Sequence, residues 1–119
     1  MTARRRIDET EGRHAVRAWK SGARDRTTVA LAVRFCLEEI TARAPGNSVE
    51  LRVPPHGVTQ CVAGPRHTRG TPPNVIEMDA DTWLGLATGT VNWDEAAADR
   101  KLSASGVRAD VSEWLPLDI

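Results

Sequence analysis

The chain has no tyrosine, one phenylalanine and two cysteines, and it lacks any long apolar run. Each shortage closes off a class of protein. Cys36 and Cys61 are too few for the disulfide lattice of a small secreted domain. Their apolar neighbours make them expected buried thiols. The longest apolar run, 29–33, falls far short of the roughly 20 residues that span a bilayer, so no stable membrane insertion is expected. The basic start Arg4, Arg5, Arg6 leads into Asp8, Glu9 and Glu11, not into the apolar stretch of a secretory leader. A cytoplasmic protein is expected. His14, His56 and His67 lack metal-ligand spacing, and neither cysteine completes a zinc pattern with them. There is no phosphate-loop glycine motif, serine elbow or carboxylate pair. Cys61 acting as a nucleophile beside His56 or His67 is geometrically conceivable, but a structural thiol fits its surroundings better. No catalytic residue, metal or cofactor is expected.

What is present fits one folded domain. The 119 residues are 40% apolar and 27% charged, which suits a globular chain with an ordinary core. With aromatics scarce, that core must be aliphatic, helped by Trp19, Trp83, Trp93 and Trp114. The net charge is zero but unevenly spread: nine basic and four acidic residues lie in 1–34, three and nine in 75–119. The simplest account is that the ends lie together or that the front is a solvated arm. A polyanion-binding arm is the sharper alternative, and zero net charge argues against nucleic acid as its partner.

Periodicity gives the order of elements. Residues 8–21 read as a weak helix with Asp8, Glu9 and Glu11 at its start, a stripe of Ala15, Val16 and Trp19, and Gly12 weakening it. Residues 27–43 read as the clearest helix, capped by Thr27 or Thr28, with Val29, Ala30, Val33, Cys36, Leu37 and Ile40 at helical spacing. From 29 to 37 almost only Arg34 is polar, so most of its circumference should be buried. The period then changes to two. Val49, Leu51 and Val53 form one strand, and 58–62 a second after the turn Pro54-Pro55-His56-Gly57. Val75, Ile76 and Met78 suggest a third. Asp79 or Asp81 starts the next helix, Asn92 caps a short one, 101–105 is a strand, and Asp110 caps a last turn closed by Pro116. Segregated strands and helices mean α+β: a small, mostly antiparallel twisted sheet of four or five strands with helices on one face. Residues 1–26 are expected to be a basic arm with a weak helix, and 27–119 the domain proper.

The C-terminal half is similar to a known family. Trp83-Leu84-Gly85-Leu86-Ala87-Thr88-Gly89, then Trp93-Asp94-Glu95-Ala96, then Lys101-Leu102-Ser103-Ala104-Ser105-Gly106, then the turn 111–115, resembles the closing half of the sterol carrier protein type 2 family. The block from Val53-Pro54-Pro55 to Asn74-Val75-Ile76-Glu77 resembles a bacterial stand-alone branch of it. The resemblance covers about 27–117. It implies a sterol-carrier-like fold and a non-catalytic protein whose ligand is a fatty acyl or sterol-like molecule held between helices and sheet. The apolar site residues would then be Val33, Leu37, Val62, Ile76, Trp83 and Leu86.

The loop 64–74 is the most chemically pointed stretch. Arg66, His67, Thr68 and Arg69 concentrate cations and a hydroxyl that would converge on a phosphate or carboxylate. The plainer reading is a structural crossover whose arginines pair with Glu77, Asp79 or Asp81. Two functions follow: a binding protein for a small amphipathic ligand, or an interaction module with a closed core and a basic loop. No pattern in the chain sets an oligomeric state.

Overall fold

The computed structural model describes residues 6–64 and 74–119. The first helix, α1 (Glu9–Lys20), is capped by the Asp8 carboxylate, which accepts from the Glu11 N–H. Its inward stripe is Gly12, Ala15, Val16 and Trp19. The second, α2 (Arg26–Arg43), is capped by Asp25, which accepts from both the N–H and the hydroxyl of Thr28 at 3.0 and 2.8 Å. The cap expected at Thr27 or Thr28 therefore falls two or three residues earlier, because Asp25 has the stronger acceptor and Thr28 serves it as donor. The helix buries Val29, Ala32, Val33, Phe35, Cys36, Leu37, Glu39 and Ile40, which point in several directions. This is the pattern of a helix enclosed by neighbours, not one lying on a surface.

Four strands follow: β1 (Val49–Val53), β2 (Gly57–Cys61), β3 (Val75–Met78) and β4 (Leu102–Ser105). Among the described residues they form one sheet in the order β2-β1-β3-β4. β1 pairs antiparallel with β2 and parallel with β3, and β3 pairs antiparallel with β4. The sheet is thus mixed but mostly antiparallel, as expected. Val49, Leu51 and Val53 face the helices, while Glu50 and Arg52 pair with each other on the opposite face. In β2 the register puts Gly57, Thr59 and Cys61 on the helix side. Val58 points outward and is 58% exposed. Val62 lies past the end of β2 with φ 68, and Gly46 packs directly against its backbone.

α3 (Ala80–Thr88) is capped by Asp79, which accepts from the Thr82 N–H, and stops at Gly89 in the left-handed conformation. α4 (Trp93–Ala98) is capped by Asn92, as its sequence implies. The last turn is a single 3-10 turn, Ser112–Trp114, preceded by an Asp110 carboxylate that accepts from the Ser112 N–H. No helix among the described residues is long and apolar enough to cross a membrane.

One core unites these elements. Trp83, Phe35, Ile40, Leu51, Ile76, Leu84 and Leu86 are its largest fully buried side chains. Burying each contributes about 1.5–3 kcal/mol before the cost of ordering the chain. Trp19 joins α1 to α3, its indole N–H donating to Asp81 at 3.0 Å while the Arg24 guanidinium lies 4.6 Å over its ring. α1 reaches α2 through Gly12, where a Cβ would collide with the Phe35 ring.

Two outcomes follow. Gly12→Ala improves helix propensity by up to ~1 kcal/mol, yet overpacking against Phe35 costs ~1–3 kcal/mol. A net loss of stability in urea unfolding is expected, opposite in sign to what propensity alone gives. Asp25 has its carboxyl held below the usual value of 3.8, first by the Thr28 N–H and then by the Thr28 hydroxyl. A depressed folded pKa means its contribution is complete above about 3.8 and is lost as pH falls through the lower folded value. The difference in melting temperature between wild type and Asp25→Ala should therefore shrink as pH drops below that point.

Candidate functional site

A groove of about 630 Å3 opens between α2 and the edge strand β2. Its base is Leu37, only 4% exposed, Ile7 adds an apolar wall, and the backbone of β2 from Gly57 to Thr59 forms the other side. Its rim carries Arg6, Arg34 and His56. The size and the mix of apolar base with a few polar groups match small-molecule sites in general.

Local sequence explains how the walls meet. Gly57 faces α2, and a Cβ there would sit 3.1 Å from a Leu37 methyl and 3.6 Å from the Arg34 Cγ. Having no side chain at Gly57 therefore lets Arg34 and Leu37 lie close against the strand. Arg34 is fixed by its Nε, which donates to the His56 carbonyl at 2.8 Å. That leaves the two terminal nitrogens at the rim. One turn further along α2 than Leu37, the Thr41 hydroxyl contacts the Thr59 hydroxyl at 2.6 Å and the Gln60 carbonyl at 3.1 Å, closing that end.

The remaining wall is the segment entering α1. The Glu38 carboxylate accepts from the Arg6 N–H at 3.0 Å and the Ile7 N–H at 3.1 Å, one on each oxygen. This brings Ile7 onto the core and Arg6 to the rim. Among the described residues neither Arg6 nor Arg34 is ion-paired with a carboxylate, whereas Arg13, Arg24, Arg43 and Arg52 all are.

The residues expected to hold an apolar ligand fall into three groups. Val33, Ile76 and Trp83 are fully buried and in one core, and the Trp83 indole N–H donates to the Val33 carbonyl at 3.3 Å. Leu86 is buried too and borders a second groove of about 320 Å3 with Trp93 and Leu115. Leu37 forms the base of the larger groove, and Val62 is partly buried at the end of β2. Arg66, His67, Thr68 and Arg69, and with them the question of pairing to Glu77, Asp79 or Asp81, lie outside the described residues. Of the rim residues, Arg34 stands out in the sequence as the lone polar position within the apolar stretch of α2, while Arg6 belongs to the basic start and His56 to the turn 54–57, and no pattern joins the three.

The cysteines are not part of this site. Cys36 and Cys61 are free and buried. Burial, aided by the nearby Glu39, pushes the Cys36 thiol up to about 12, and burial pushes Cys61 up to about 11.

The sheet with helices over one face, bordered by a groove of mixed character, defines a small open-sheet α+β architecture. Residues 25–117 match the family model described as bacterial SCP ortholog, and the chain belongs to that family. No curated protein matches the chain.

The thiols yield a direct expectation. A thiol-specific disulfide reagent at pH 8 should modify neither cysteine in the folded protein and both in denaturant. Rapid native labelling of Cys61 would contradict its burial.

Proposed function

We propose that this chain is a non-catalytic carrier or binding protein for a lipid or small amphipathic molecule. One observation carries the reading: the groove between α2 and β2, with Leu37 at its base, in a chain of the bacterial SCP ortholog family. Such a site needs apolar area for affinity and a few placed polar groups for orientation, and both are present. The buried, protonated thiols supply no nucleophile, which supports a role in binding and not in chemistry.

The test is a panel of fatty acids, acyl-CoA and a sterol, read by melting temperature and tryptophan fluorescence. A ligand at about 100 times its Kd stabilises the folded state by about 2.7 kcal/mol. A rise of several degrees with at least one class is expected. No shift with any member at submillimolar concentration would overturn the reading.

A second reading, an interaction module with a closed core and a basic loop, draws support from the interior. Val33, Ile76 and Trp83 leave no exposed surface there. It expects Arg66→Ala with Arg69→Ala to abolish a salt-sensitive interaction with an acidic peptide while leaving the melting temperature unchanged.

A further inference from the structure

We propose that the groove between α2 and β2, and not the interior between helices and sheet, is the ligand site, and that it selects single-chain amphiphiles with an anionic end over neutral ones. The inference rests on the carrier reading and adds a location and a charge preference to it. The interior is filled: Trp83 is fully buried and its indole nitrogen is bonded to the Val33 carbonyl. To open that region would break the bond and expose the largest buried side chain. The groove, by contrast, already opens to solvent over an apolar base.

Its charge is lopsided. Arg6 and Arg34 border it without ion-pair partners among the described residues. Among the described residues the single carboxylate on the lining, Glu38, already accepts two backbone N–H bonds, which spread its charge into the entering segment. His56 adds an imidazole at the same rim. The field at the mouth is therefore positive, and the complementary occupant carries a carboxylate, sulfate or phosphate. Arg34 is the selecting group. Its Nε is committed to the His56 carbonyl, so its planar head is pre-positioned, and two terminal nitrogens can donate to one anion. The tail of the ligand would then run over Leu37 between Ile7 and the β2 backbone.

The experiment compares decanoate with 1-decanol, two ligands of one chain length that differ in charge. Titration calorimetry is run on the full chain, on Arg34→Gln and on Arg6→Gln. Decanoate should bind about tenfold more tightly than decanol. Arg34→Gln should erase that ratio while leaving decanol unchanged, and Arg6→Gln should narrow it. If Arg34→Gln loses its cooperative melting transition, Arg6→Gln carries the comparison. Equal binding of both ligands, or decanoate binding indifferent to the substitutions, overturns the groove and its charge preference while the carrier reading stands. Failure of both ligands together with the acyl-CoA and sterol of the wider panel overturns both.

Discussion

The fold depends on the enclosure of α2. This helix packs against α1, the edge strand β2 and α3 at once. It has no wet face along most of its length, and that is why its apolar residues form no single stripe. Its neighbours are placed by what α2 offers each of them. Phe35 fills the notch left by Gly12, the Val33 carbonyl receives the Trp83 indole, and Leu37 lies against the bare backbone of Gly57. A helix so enclosed cannot shift along its axis without breaking three contacts of different kinds.

The groove is a by-product of the same packing. α2 lies across the edge of the sheet, and where it passes β2 the side chains on its outer flank become polar. Arg34 and Thr41 bond the carbonyls of His56 and Gln60, so the helix both shields an exposed strand edge and leaves a hollow between those two attachments. Edge protection and an open groove thus come from the same pair of side chains.

Much of the frame was legible because its signals are local. β1 announces itself by alternation, and Asp79 and Asn92 cap the helices that follow them within three residues. Asp25 was harder, since it stands among Arg24, Arg26 and the two threonines that also suit a cap. The parallel pairing of β1 with β3 joins strands separated by more than twenty residues, and no turn signal encodes it. The groove is less legible still. Arg34 and His56 are 22 residues apart, and Glu38 meets Arg6 across 32. The apolar residues expected to hold a ligand follow the periodicity of a core, and periodicity cannot distinguish the wall of a cavity from the filling of one. Gly12 shows the opposite error: a residue that looks like a helix weakness is the clearance that docks α1.

The segment that follows β4 carries a structural duty. The Leu117 N–H donates to the Ala87 carbonyl at 2.9 Å, and Arg43 at the end of α2 donates to the Asp118 carbonyl at 2.8 Å. Val111 and Leu117 are both buried in the common core. During synthesis, a nascent chain that has emerged only as far as β4 would possess every strand and α-helix described here, yet its core would still be open where Val111 and Leu117 belong. Closure of the core therefore comes only with residues 111–117, after every strand and α-helix described here has been made.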